Sequence, residues 1–355
     1  MSTTATVRVM SAEEIASRAA GSTPPLRWPA RSTHFAERAM RLRQLANGHA
    51  MADFLVFMAR LADAQQAALA RLGREGGVAV PDAAAIDEAS RAGRPPLAAA
   101  EGPRDRAWHA VLREVVAAMR PHVGAGPAAD ALARLAAADE IFLERQADAL
   151  LTGVMAGLDL AAAPIVAAAL QVLWTHQAIE IGNAARPGAT QPIGLIDDTG
   201  VCPCCGTRPV ASITRSGGDT TGQRYLHCAL CGTEWHVPRG RCTHCGEASA
   251  TKVAYQALDR SDVVDDEDVA ARAAKAVIQA ETCDACGRYL KIVHGDRDAM
   301  AEPVADDLAS ITLDLLVAET GKERHGVNLM LLFGDPDHAD EPDGPGGTAP
   351  PAGGH

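Results

Sequence analysis

The sequence predicts a mainly α protein in which an all-α domain precedes a pair of small cysteine-rich modules and a C-terminal helix. Three observations lead there. Apolar residues recur at helical spacing up to about residue 195. Four Cys-x-x-Cys pairs then crowd into 85 residues, each followed directly by glycine. Helical spacing returns through Val304, Leu308, Ile311, Leu315 and Ala318. The domain limits that follow are a disordered 1–25, a helical domain 26–195, the cysteine modules 196–295, a C-terminal helical segment 296–333 and a disordered tail 334–355.

Composition fits the helical part. Hydrophobic residues make up 47% of the 355 but aromatics only 3%, so much of the apolar content is alanine, which suits closely packed helices. The N-terminus has no apolar core and carries Glu13 and Glu14, so it is not a secretory signal. From Met51 onward, Phe54, Leu55, Met58, Leu61, Ala62, Gln65 and Leu69 follow the i, i+3, i+4 rule, with Gln65 the one polar member. Similar stripes run over Phe35–Leu45, Trp108–Met119, Leu132–Leu151 and Ile165–Ile181, for about six helices in all. The most hydrophobic window, Val154–Trp174, is interrupted by Asp159 and Pro164. It reads as helix–break–helix in a soluble core, not as a membrane span. A cytoplasmic protein is expected, and in that reducing compartment paired cysteines bind metal or do redox chemistry more often than they form disulfides.

The four pairs are Cys202/Cys205, Cys228/Cys231, Cys242/Cys245 and Cys283/Cys286. Two thiolates three positions apart can hold one ion from a single turn, and the glycine after them supplies the positive φ that folds backbone N–H groups over the second sulfur. Eight thiolates suffice for two tetrahedral sites. The simplest arrangement groups Cys202, Cys205, Cys228 and Cys231 in one site, and Cys242, Cys245, Cys283 and Cys286 in another. This makes two rubredoxin-like or zinc-ribbon-like units in tandem, although spacing leaves interleaved pairing open. Short β-like runs accompany them at Val210–Thr214, Arg224–His227, Glu234–Val237, Lys252–Leu258 and Tyr289–Val293, with a hairpin turn at Gly217-Gly218. Long apolar runs are missing, so metal is expected to staple the segment. Four sulfurs suit zinc and iron alike. Zinc would be structural; iron would be redox-capable.

Cys204, wedged inside the first pair, reads as incidental beside two sulfurs that already satisfy the turn, with a reactive thiol as the sharper alternative. His227, His236 and His244 adjoin the pairs but are not needed as ligands. The acidic run Asp262–Asp268 reads as a solvated surface loop. No catalytic set is recognisable. The formal charge is −12, and residues 200–295 hold 11 Lys/Arg against 11 Asp/Glu. Two four-thiolate sites would take that segment to about −4, whereas phosphate contacts need a positive surface, so nucleic-acid binding is disfavoured.

Several phrases are similar to one known family. Cys202–Ser212, Arg224–His236, Glu281–Lys291, Glu302–Ser310 and Gly326–Asn328, with Arg38–Leu45 and the Asp53–Ala64 helix upstream, resemble the formate dehydrogenase accessory protein FdhE family over roughly residues 25–333. The resemblance implies a cytoplasmic helper and not an enzyme. It would bind the molybdenum- or tungsten-containing catalytic subunit of a respiratory formate dehydrogenase and support its assembly before twin-arginine export. It also implies an α-helical domain followed by tandem rubredoxin-like modules holding iron, with all eight cysteines carried over position by position. Two features depart from the family pattern: Cys204, and a long acidic run after Asp259. Neither removes a ligand. Within this reading Tyr225–His236 is a candidate partner-facing strip through Glu234 and His236, while Trp235 is expected in the core. Rival readings are a redox or sulfur-handling protein using a labile thiol, and a ribbon-type nucleic-acid binder.

Overall fold

The computed structural model describes residues 23–184, 193, 196, 198–217, 220–258 and 266–331. The expectations for residues 1–22, for the tail 334–355, for Gly218 and for the acidic run as far as Asp265 lie outside them. Seven α-helices come first among the described residues: α1 (His34–Ala46), α2 (Ala52–Glu75), α3 (Ala83–Arg91), α4 (Ala107–Met119), α5 (Pro127–Ala137), α6 (Glu140–Thr152) and α7 (Ala163–Ala184). The periodicity is departed from in two places. The single Leu132–Leu151 stripe is two helices, because Asp139 takes an extended conformation and its side chain accepts from Phe142 N at 2.7 Å, capping a new start. The α3 helix shows no stripe because it buries none of its residues; Asp82 caps it.

At the centre lies α7, buried on almost every side from Ala163 to Ile181, as an apolar-all-round helix must be. It packs against α2, α4 and α6. The break expected before it is present, with turns between Gly153 and Ala162. No helix among the described residues is long and apolar enough to cross a membrane. The polar exception in α2 has a purpose. Gln65 is fully buried, and its Nε2 donates to Ala168 O at 3.0 Å and to Gln171 Oε1 at 2.8 Å. Gln171 Nε2 in turn donates to Ala229 O at 2.8 Å, inside the second cysteine turn.

The strands among the described residues form one sheet. Its strands are β1 (Leu26–Arg27), β2 (Pro209–Gly217), β3 (Thr220–Cys228), β4 (Glu234–His236), β5 (Val253–Gln256), β6 (Ile278–Cys283), β7 (Arg288–His294) and β8 (Glu323–Arg324), with α8 (Asp266–Lys275) between β5 and β6. The order is β1-β4-β3-β2-β7-β6-β5, with β8 beside β7. The two cysteine units do not stand apart: β2 pairs in parallel with β7, joining them edge to edge. The unexpected β6 carries the polar residues Gln279 and Glu281 buried, where Gln279 faces His294 and one oxygen of Glu281 pairs with Arg224. The acidic run is not wholly loop, since Asp266 opens α8. Near the N-terminus, Pro24 and Pro25 are held by Tyr225 OH at 2.9 Å and His236 N at 3.0 Å.

The single C-terminal helix expected over Val304–Thr320 is two, α9 (Pro303–Leu308) and α10 (Ile311–Glu319). Their junction is claimed by Lys291, which is fully buried and donates to Asp307 O at 3.0 Å and Ser310 O at 3.1 Å. The break rotates the pattern, so Leu313 and Val317 are buried while Leu315 is 59% exposed. Two ion pairs tie α9 back to α1 across more than two hundred residues: Arg38 with Glu302 at 3.1 Å, and Arg41 with Asp306 at 2.7 Å. Lys291 also pairs with Asp307 at 3.1 Å and with Asp314. Removing one member of a buried network strands its partners, so Lys291→Ala is expected to lower the unfolding free energy by about 3–5 kcal/mol in urea titration. A change below about 1 kcal/mol would show that Arg324 alone neutralises both carboxylates.

Candidate metal centres

The eight cysteines meet as two groups of four. Cys202, Cys205, Cys228 and Cys231 form one and Cys242, Cys245, Cys283 and Cys286 the other, with the sulfurs of each group within 4.8 Å of one another. The grouping is the sequential one, because strand register brings each pair of turns to one shared end: Pro209 lies opposite Cys228 in β2–β3, and Val253 opposite Cys283 in β5–β6. Gly206, Gly232, Gly246 and Gly287 have φ of 77°, 70°, 76° and 69°, the left-handed conformation the turns require. In the first turn Gly206 N donates to Cys202 O at 2.8 Å, and Cys202 N to Thr207 O at 2.9 Å. Gly246 on Cys242 and Gly287 on Cys283 repeat the first bond at 3.0 Å. Leu230 N and Cys231 N both point at Cys228 Sγ, at 3.4 Å.

The donor set fits a tetrahedral ion. A metal–sulfur bond of about 2.3 Å places tetrahedral sulfurs about 3.8 Å apart. Cys202–Cys231 and Cys205–Cys228 are separated by 3.6 and 3.4 Å, and Cys242–Cys286 and Cys245–Cys283 both by 3.7 Å. Protons alone serve such a cluster badly. Burial pushes the Cys202 and Cys228 thiols well up, while thiol donors around Cys231 outweigh burial and hold it well down. Neither group contains a histidine. His227 Nδ1 faces Glu234 Oε1 at 3.1 Å, His236 Nε2 faces Gln223 Oε1 at 3.0 Å, and the His244 ring meets that of His325.

Cys204 is the ninth cysteine and joins neither group. Its side chain is fully buried, and hydrogen bonding to Cys231 together with burial pushes the thiol well up. An exposed thiolate is what reactivity needs, so buried Cys204 does not supply one. The main chain is what Cys204 contributes: its carbonyl accepts from Leu97 N at 2.9 Å, and Cys205 O accepts from Ala99 N at 3.0 Å.

Glu234 is not a partner-facing residue. It is buried at 5% exposure and gathers Arg215, Arg27 at 3.4 Å and His227. Trp235 is buried as expected and donates Nε1–H to Thr199 O at 2.9 Å. A 430 Å³ cleft opens beside this hub, between His34 and Met40 of α1, Gly232, and the segment Ala299–Pro303. Nothing in the sequence signalled it, because its walls come from four distant stretches.

Fold and site define a helical protein that carries two four-cysteine clusters on one shared sheet. Profiles of the FdhE family match in three parts: the N-terminal region at residues 23–189, the central domain at 201–239 and the C-terminal domain at 241–331. A protein described as an FdhE homolog from Klebsiella pneumoniae subsp. pneumoniae is 35% identical over 332 residues, covering 93% of this chain and 99% of its own. Protein FdhE of Escherichia coli O9:H4 is 36% identical over the same length, with the same coverage. The crystal structure of the FdhE protein from Pseudomonas aeruginosa superposes with a TM-score of 0.73 at 36% identity, covering 88% of this chain and 100% of that one. The chain belongs to the FdhE family. Its role is therefore that of an accessory protein linked to formate dehydrogenase assembly, and it is not an enzyme.

The Glu234 hub has a pH signature. Burial alone would raise its carboxyl, but the His227 hydrogen bond and the Arg215 guanidinium outweigh it and hold the group well below the ordinary carboxylate range. A depressed carboxyl lends stability above its unfolded value and loses it as pH falls through its folded one. Glu234→Gln is expected to be less stable by about 1–3 kcal/mol at neutral pH, with the gap narrowing in acid. Thermal melts from about pH 7 to about pH 3 check this; a gap constant with pH would contradict it.

Proposed function

We propose that this chain binds the catalytic subunit of a formate dehydrogenase in the cytoplasm and supports its assembly before export, and that each cysteine cluster holds one metal ion. The observation that carries the reading is the continuous family match over both the helical and the cysteine-rich parts, with eight sulfurs at tetrahedral separations. The local turns favour rubredoxin-like or zinc-ribbon-like units. The family resemblance favours iron, and the same donors accept zinc. Bound metal would hold the turns of each cluster in place and neutralise thiolates that could not otherwise ionise together.

The chain's own residues supply the rest. Cys202, Cys205, Cys228 and Cys231 would bind the ion that fixes the β2–β3 hairpin against α7, where Gln171 already holds Ala229. Partner contacts then fall to surfaces held rigid by that core. With Glu234 buried, the side chains offered to a client at the cleft include the exposed apolar Met40 and Met300 together with the exposed charges Arg27 and Glu37.

Protein purified from its native host is expected to contain two metal ions per chain by elemental analysis, red if the metal is oxidised iron and colourless if zinc. Paired Cys242→Ser and Cys286→Ser should remove one of them, and a content unchanged by that pair would reject the ligand assignment. Capture of the catalytic subunit on the immobilised full chain tests the partner. Retention of an unrelated exported enzyme to the same extent would dismiss it.

A further inference from the structure

The two clusters have the same ligands but opposite surroundings. All four sulfurs of the first are buried, with Cys202, Cys205, Cys228 and Cys231 at 0–1% exposure. They belong to the main hydrophobic core together with Trp108, Leu173 and Val304. Each of its turns is also covered by the helical region. Leu97 N and Ala99 N bind the first turn, and Gln171 binds the second. The His34 ring lies so close to Gly232 that a Cβ there would sit 2.4 Å from its Cε1.

The second cluster lies outside that core, its turns meeting the β8 segment, where Glu323 N donates to Gly287 O at 2.9 Å and the His325 ring meets His244. Cys245 is exposed and Cys286 half-buried, while Cys242 and Cys283 form only a small satellite core with Val253. Val253 lies on β5, the last strand of the sheet order. His244 and Ala248, on either side of Cys245, are exposed as well. Regions with few buried contacts at a sheet edge open locally, at far lower free energy than the global core.

We infer that the second centre is an exchange site: Cys242, Cys245, Cys283 and Cys286 release and take up a metal ion while the chain stays folded, whereas the first centre releases its ion only when the core opens. The inference rests on the reading that each cluster binds a metal. The exchange is a ligand substitution without change of oxidation state. A chelator donor bonds to the ion as the Cys245 sulfur–metal bond breaks, each departing thiolate takes a proton from water, and the ion leaves on the chelator.

The test uses the full chain loaded with two equivalents of zinc and challenged with excess 4-(2-pyridylazo)resorcinol. One equivalent should leave at a rate that rises with chelator concentration, with the circular dichroism spectrum unchanged. The other should leave at least about tenfold more slowly, at the rate of global unfolding, and should accelerate in urea. Iodoacetamide labelling of the unsubstituted protein after the first phase assigns the sulfurs without relying on variants. Peptides carrying Cys242, Cys245, Cys283 and Cys286 should be alkylated, and those carrying Cys202–Cys231 protected. Two equivalents leaving at one rate, or labelling of the first group in the fast phase, would overturn the inference alone. Failure to load two ions would overturn the metal reading beneath it.

Discussion

Burial of the first cysteine group inside the helical core is the constraint on which the other arrangements depend. Cys202, Cys205, Cys228 and Cys231 are counted in the same apolar core as the central helix α7. They cannot all be ionised there together without a cation, and cannot be moved without disturbing Leu97, Ala99 and Gln171. A small β unit that lacks long apolar runs thereby gains a core by borrowing one. The segment that metal is expected to staple is covered by the helices as well.

Charge does a second job of the same kind. Arg38 and Arg41 on α1 meet Asp306 on α9 and Glu302, which caps it, so that phrases near the two ends of the described chain are neighbours in space. Lys291, Asp307, Asp314 and Arg324 do the same between β7, the last helices and β8. Pairs this deeply buried are costly to desolvate, and their worth lies in geometry more than in net stability. They set which surfaces α9 and α10 present, and they break one expected helix into two.

Legibility followed distance along the chain. Each Cys-x-x-Cys-Gly turn is a contiguous local structure, and all four have the positive φ that their glycines announced. Helix stripes were visible where a core lay on one side, and invisible for α3, which buries none of its residues. The Asp139 cap was present in the sequence as a helix-start residue but was masked by apolar residues flanking it in phase. Glu234 looked like a surface acid beside a tryptophan. Its actual setting depends on Arg27 and Arg215, which no local pattern connects to it.

The sequence by itself determined the ligand turns, the order of helical and cysteine-rich parts, the sequential grouping as the simplest pairing, and the family. All of these are encoded in residues a few positions apart or in long contiguous phrases. Only the tertiary structure decided that both cysteine units share one sheet through β2 and β7, that Gln65 begins an amide chain to a cysteine turn, and that one cluster is sealed while the other meets solvent. Those outcomes turn on contacts between residues up to hundreds of positions apart. Burial and pairing at that range are properties of packing, and identical turn motifs carry no mark of which of them the packing will cover.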